Sequence, residues 1–358
     1  MSVEPGDAST PVSAPGAAVT DATTDATARS GGASLAARAT APLGGGVRHL
    51  GGYVQRAGIL IPFVILFVVL SIASGSFLTE TNLLNILDQQ ASTLMVAAAG
   101  TLVLVSGGLD LSTGAVYGLA AVVTAELLGH MPVGFAILIG IVVGLAAGTL
   151  NGIITTFFRI NALIATLATF FVLTGVASLV TQGNLLVLSQ FQSYGKLANT
   201  NIIGVNSSTW LMVIVVVVLG LALARTTLGR YMYAAGGNAE AARLAGVRVN
   251  LTRIIAFALS GGAAAFGGII DSSRVLSAGD QNGLETFTFT VLAGIVVGGT
   301  SILGGEGVVW RTVVGVLLIA LIGNGFDLLG LNPLWEQIML GAIMLAAVGI
   351  DAWVRYRR

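Results

Sequence analysis

The chain has 358 residues and zero formal net charge; 55% of its residues are hydrophobic and only 9% charged, with a mean hydropathy of +0.92. A water-soluble domain carries about 25% charged residues, so a water-facing surface of this size is excluded, and the neutral balance gives no electrostatic reason for a nucleic-acid partner. Cysteine is absent, which rules out disulfides, thiolate chemistry and cysteine-ligated metal; the 49 glycines exceed average usage about twofold and suit close helix packing in lipid.

Residues 1–47 are rich in Ala, Thr, Ser, Gly and Pro without apolar periodicity, and read as a disordered tail with no signal-peptide core. Residues 48–358 read as one all-α membrane domain. Its apolar runs lie near 58–74, 91–106, 113–129, 133–157, 162–181, 210–224, 254–271, 287–304, 308–326 and 335–354. About 20 apolar residues cross a bilayer, with a range near 17–25, so some of these runs are short, but ten spans are expected. Arginine placement supports that count. With the N-terminus inside, inside segments hold Arg29, Arg38, Arg48, Arg56, Arg159, Arg225, Arg230, Arg243, Arg248, Arg253, Arg311, Arg355, Arg357 and Arg358, and only Lys196 and Arg274 fall outside. Both termini are therefore expected in the cytoplasm. Two connections are long: 182–209 outside, and 225–253 inside with five of those arginines.

Within 225–253, Asn238 is a candidate helix cap and Gly246 a candidate stop. The two-turn helix between them carries Glu240 in its first turn and is marginal alone, so it needs a partner surface. The motif Glu240-Ala241-Ala242, three residues and then Gly246 resembles the signature of ABC importer permeases, and Gly236–Val249 is similar to its ribose-type version. Further matches follow the same order: Gly107-Gly108-Leu109-Asp110-Leu111-Ser112-Thr113-Gly114, Leu167-Ala168-Thr169, Gly298-Gly299-Thr300-Ser301-Ile302-Leu303-Gly304-Gly305-Glu306-Gly307, and Asn324-Gly325-Phe326-Asp327. The resemblance runs from about 58 to 354. It departs from the broader pattern in lacking a downstream Leu-Pro.

The resemblance implies a type II importer-like bundle in a bacterial cytoplasmic membrane, carrying a ribose-like sugar or related polyol; a nucleoside, autoinducer-2 or a branched-chain amino acid are alternatives within the class. It implies that Asn238, Glu240, Ala241, Ala242, Arg243 and Gly246 couple to a separate ATP-binding subunit, which would hold ATP and magnesium. A second permease subunit, identical or related, and an extracytoplasmic solute-binding protein complete the expected assembly. No catalytic or metal-binding residues and no cofactor are expected in this chain: Gly298–Gly307 lacks the Gly-Lys-Ser/Thr ending of a phosphate-binding loop.

Gly107, Gly108, Asp110, Ser112, Gly114, Gly298, Gly299, Gly304 and Gly305 are expected to shape tight turns on the inner side. Asp110 and Ser112 would cap the following helix at the interface, ahead of a proton-relay role for which no partner carboxylate or His is placed; His49 and His130 read as solvated. Both glycine motifs join an inward span to an outward one, a hint of internal duplication. Polar and aromatic groups suited to a hydroxyl-rich substrate are Asn151, Asn161, Thr166, Thr169, Phe170, Gln182, Ser301 and Asn324, with Asn161, Thr166, Thr169, Phe170 and Asn324 the leading pathway candidates. An ion-coupled transporter needs an embedded ion site for which Asp110 alone is available; a membrane enzyme needs a convergent catalytic set that the sequence does not contain.

Overall fold

A computed structural model describes residues 58–279, 283–332 and 334–356. The expected tail, His49 and the flanking Arg29, Arg38, Arg48, Arg56, Arg357 and Arg358 lie outside the described residues.

The described chain is helical: α1 (Leu60–Ala73), α2 (Glu80–Gln89), α3 (Ala91–Val105), α4 (Thr113–Leu127), α5 (Val133–Thr156), α6 (Ala162–Thr181), α7 (Gln192–Asn199), α8 (Ser207–Arg225), α9 (Thr227–Gly237), α10 (Ala239–Leu244), α11 (Val249–Val275), α12 (Leu284–Val297), α13 (Val309–Leu328) and α14 (Leu334–Tyr356). Strands are limited to two-residue pairs, β1 (Leu186–Val187) with β4 (Ser277–Ala278) and β2 (Asn201–Ile202) with β3 (Val205–Asn206), both antiparallel. Every expected apolar run contains a helix, but the run expected at 287–304 is helical only to Val297, where the glycine turn begins. Five of them, α5, α6, α8, α11 and α13, are long and apolar enough by themselves to cross a membrane; α1, α3, α4, α12 and part of α14 are shorter apolar helices. The amphipathic α2, α7 and α9 fall in stretches that the sequence reads as connections.

Burial sorts the helices into layers. All residues of α3 are buried, as expected of a helix that is apolar all round. The outer helices present large aliphatic side chains to the surroundings: Val64, Ile65 and Ile72 on α1, Phe135 and Val142 on α5, Ile164 and Val172 on α6, Ile214 and Val218 on α8. Contiguous apolar exposure on this scale suits hydrocarbon rather than water.

The tightest pairing is α5 on α11. Gly140, Gly144, Gly148 and Gly152 recur every four residues and so share one face of α5. A Cβ placed on Gly148 would lie 2.2 Å from the Phe257 carbonyl oxygen, and one on Gly144 2.5 Å from that of Gly261. The two backbones touch, which only glycine permits.

Between α3 and α4 the chain does not turn directly into a helix. Gly107 turns back with φ +80°, and Gly108–Ser112 then runs without helical structure into the bundle before α4 starts at Thr113. Ser112 stands at the N-cap position but makes no side-chain cap bond.

Candidate functional site

Three glycine-bearing segments far apart in sequence meet at one end of the bundle, the end that carries Arg225, Arg230, Arg243, Arg248, Arg253 and Arg311. The Gly305 N–H donates to the Val105 carbonyl at 2.9 Å. A Cβ on Gly236 would sit 1.9 Å from that same Val105 oxygen and 2.6 Å from the Gly305 nitrogen; one on Gly304 would lie 2.8 Å from the Gly107 Cα and 3.1 Å from the Gly236 Cα. Gly304 and Gly305 hold φ of +91° and +76°, a region open chiefly to glycine. The turn after α12, the end of α3 and the end of α9 are thus joined backbone on backbone.

Arg253, on α11, bolts this joint. Its Nε donates to the Ser106 carbonyl at 3.0 Å and its Nη2 to the Ala235 carbonyl at 3.3 Å. Both acceptors belong to helix C-termini, where carbonyls lack intrahelical partners and a cation is favoured. The Tyr233 hydroxyl donates to the Gly307 carbonyl at 2.6 Å. Burial raises the pKa of this phenol above its ordinary value, with the Arg311 charge partly opposing, so it stays a donor.

α10 projects from the joint. Asn238 caps it as the sequence predicts: its Oδ1 accepts from Glu240 N at 3.1 Å and Ala241 N at 3.0 Å, and Gly246 closes it in a left-handed conformation with φ +84°. Only Ala242 of this helix is buried, against Ala235 and Val249; Glu240, Ala241, Arg243 and Gly246 are exposed, and Leu244 is 86% exposed. Glu240 and Arg243 pair at 3.3 Å across the exposed face. A helix fixed by one alanine and otherwise turned outward, with an uncovered leucine, has the form of a docking element.

Asp110 lies inside the bundle, 8% exposed, on the non-helical Gly108–Ser112 segment just before α4. Its Oδ1 accepts from the Ser112 N–H at 3.0 Å and the Ser112 hydroxyl at 2.6 Å, and its Oδ2 from the Ser260 hydroxyl at 2.8 Å. Asn151 Nδ2 donates to Ser112 Oγ at 2.8 Å. Ser260 lies about 16 Å along α11 from its start, by the 1.5 Å rise per residue. This network pins the non-helical segment to α5 and α11. Gly114 closes its far side, with its N–H donating to Thr288 Oγ1 of α12 at 3.0 Å.

The pathway candidates do not form one cluster. Asn161 is exposed and caps α6 through Leu163 N at 2.9 Å. Thr166 is buried, accepting from Leu111 N at 3.0 Å, and Thr169 donates to the Ala165 and Thr166 carbonyls within its own helix. Asn324 pairs reciprocally with Asn82 of α2, at 2.8 and 3.1 Å, apart from the rest. Phe170 alone lines a cleft. This space of about 160 Å³ lies between α6 and α12, floored by Leu111, walled by Phe170, Phe171 and Phe289, and edged by Thr288 and Glu285. The sequence reading missed Arg253, Leu244, Glu285 and Phe289. Arg253 was legible only as a topological charge, and a leucine inside a charged loop was the available signal for Leu244.

The opposite end is closed differently. Tyr194 of α7 donates to the Ile269 carbonyl at 2.9 Å and meets Ser272 Oγ; Ser273 Oγ donates to the Tyr194 carbonyl at 2.7 Å; Asn199 Nδ2 donates to the Ser273 and Arg274 carbonyls at 3.2 Å. Asp88 of α2 accepts from Asn206 Nδ2 at 3.2 Å and from the Ser208 hydroxyl. The connection 182–209 is therefore an ordered cap.

Comparison with known proteins follows this geometry. Residues 82–348 match the family described as branched-chain amino acid transport system / permease component. The ribose import permease protein RbsC of Escherichia coli (strain K12) is 34% identical over 296 residues, covering 82% of this chain and 92% of the relative. RbsC of Bacillus subtilis (strain 168) is 34% identical over 309 residues, 85% of this chain and 94% of the relative. The galactose/methyl galactoside import permease protein MglC of Escherichia coli (strain K12) is 32% identical over 325 residues, 86% of this chain and 96% of the relative. A bundle of apolar helices, a capped helix on a glycine joint and this extent of similarity lead to one statement: the chain belongs to the branched-chain amino acid transport system permease-component family, among its ribose-type ABC import permeases, and is an integral membrane protein.

Proposed function

We propose that the chain is the transmembrane permease subunit of an ATP-driven importer for a monosaccharide. Relatives named as ribose and galactose import permeases support the substrate class. The observation that carries the mechanism is α10, capped by Asn238, seated by Ala242 and exposed elsewhere, on a joint with no slack in it. In this reading the arginine-rich end is cytoplasmic, ten helices span the membrane and both termini lie inside, with 1–47 as a tail and 48–358 as the permease domain. A separate ATP-binding subunit, holding ATP and magnesium, docks on Asn238–Gly246. A second permease subunit pairs with the chain, and a solute-binding protein delivers sugar at the opposite end. ATP binding moves α10, the glycine joint carries that motion to the ends of α3, α9 and α12, and the bundle changes the side to which it opens.

Co-expression with the ATP-binding subunit tests this. Glu240→Arg is expected to abolish co-purification and ATP-dependent uptake of radiolabelled ribose or galactose in vesicles, with normal membrane insertion. Retained association removes α10 from the mechanism, and uptake that follows an ion gradient without ATP overturns the importer reading.

A further inference from the structure

The cleft between α6 and α12 has the chemistry of a sugar contact. α12 is short: its 14 residues span about 21 Å, against a hydrocarbon core of about 30 Å. Its C-terminal end packs at Gly298 on Arg311 and Thr312 of α13, and its first turn packs at Leu284 on Gly114 at the start of α4, so that turn stops within the depth of the bundle. Glu285 sits in that first turn, exposed. The ion pairs among the described residues are Glu240 with Arg243 and Asp271 with Arg274, and Glu285 belongs to neither. Beside it stand Phe171 and Phe289, 59% and 46% exposed.

A carboxylate at that depth does not face lipid; it faces protein or a watered passage. A lipid tail would leave the carboxylate with nothing to accept from. A hydroxyl-rich ring satisfies both features at once. Its hydroxyls donate to the carboxylate oxygens, and its C–H face lies against an aromatic ring. The space, about 160 Å³, is smaller than the roughly 300–1,000 Å³ of drug-sized sites, which suits one ring held on one side. The floor of the cleft adds a link to the energy source. Leu111 belongs to the non-helical Gly108–Ser112 segment, and the preceding Gly107 packs on Gly304 and lies so close to Arg253 that an added Cβ would sit 3.0 Å from its guanidinium.

We infer that this cleft is the intramembrane contact site for the transported sugar, with Glu285 accepting from its hydroxyls, Phe171 and Phe289 covering its apolar face, and Leu111 as its floor, on the segment that leads from the coupling joint into the bundle. The inference rests on the monosaccharide reading above.

The test uses the assembled transporter, with its ATP-binding subunit and loaded binding protein, in proteoliposomes, and radiolabelled ribose and galactose as probes. Glu285→Gln is expected to lower the maximal uptake rate by about 10-fold or more, and Phe289→Ala to change the ratio of ribose to galactose uptake, with the ATP-binding subunit still co-purifying. Val217→Ala, on the outward face of α8, is the control and should leave rate and ratio alone. If both cleft variants stay within about twofold of the parent in rate and ratio, the site is overturned. Should Glu285→Gln fail to assemble, Phe171→Tyr and Phe289→Tyr decide, since each adds only a hydroxyl to an exposed ring; an unchanged sugar preference in both overturns the site. A parent transporter that moves neither sugar with ATP defeats the monosaccharide reading instead, which separates the two failures.

Discussion

The two ends of this bundle are closed by different chemistry. At the arginine-rich end, main chain meets main chain: Val105, Gly107, Gly236, Gly304 and Gly305 approach so closely that a single added carbon collides with backbone. At the opposite end, side chains close the structure: Tyr194, Ser273 and Asn199 reach the end of α11, and Asp88 holds Asn206 and Ser208. Backbone contacts have no rotamers and little compliance, so the first closure transmits displacement. Hydrogen-bonded side chains exchange partners at modest net cost, about 0.5–1.5 kcal/mol each, so the second can open and re-form. The importer proposed above, driven from one end and loaded from the other, would use this asymmetry.

The largest effect should come from breaking the stiff end. Gly236→Ala puts a carbon 1.9 Å from the Val105 oxygen with the Gly305 backbone behind it, and we expect a loss of about 3 kcal/mol or more, the upper range of overpacking, together with loss of uptake. Denaturation of the purified protein would show it; a midpoint like the parent's would mean that the joint has slack. Tyr194→Phe probes the other closure. The Ile269 carbonyl keeps a donor in Ser272 Oγ at 3.1 Å, so the expected loss is only about 1–2 kcal/mol, and uptake should survive; inactivation without unfolding would show that end to be as unforgiving as the first. Asn238→Ala strips two bonds from the start of α10, and a loss of about 1 kcal/mol, with weaker retention of the ATP-binding subunit in pull-down, is expected. Arg243→Ala should be nearly silent in stability, within about 0.5 kcal/mol, since its pair with Glu240 is exposed on both sides. A larger destabilisation would mean that α10 depends on that pair and not on Ala242 and its cap.

Much of this was legible in the sequence because the solvent is apolar. Hydropathy marks each apolar helix, and most predicted ends lie close to the observed ones; the exception at 304 arose because the apolar residues of the glycine turn after Val297 extend the run. The α2, α7 and α9 helices were not marked, since their apolar residues are few and face the bundle from its ends. The period-four glycines of α5 were visible, yet their partner, the Phe257–Gly261 stretch of α11, is not adjacent in sequence. Asn238 and Gly246 were readable because capping is local. The convergence of Gly107, Gly236 and Gly304 was not, because it depends on the packing of three helices. Asn324 looked like a pathway residue because an amide in an apolar run seeks a polar partner; that partner is Asn82, on a helix the sequence did not reveal. The burial of Asp110 was not legible because it depends on Ser260 of α11, 150 residues away in sequence.

α3 has no lipid-facing residue once the bundle is complete, yet it precedes most of its neighbours in the sequence. Its neighbours α11, α12 and α13 are synthesised well over a hundred residues later. Until then α3 must wait in lipid with Thr93 and Thr101 lacking their final surroundings, Thr101 among them missing its 2.8 Å bond to Thr312. The helices that enclose this centre thus come from a later stretch of the sequence than the centre itself. A chain stopped before α13 would leave its own core as an unfinished surface, recognisable to the quality-control proteases of the membrane before any transport could be measured.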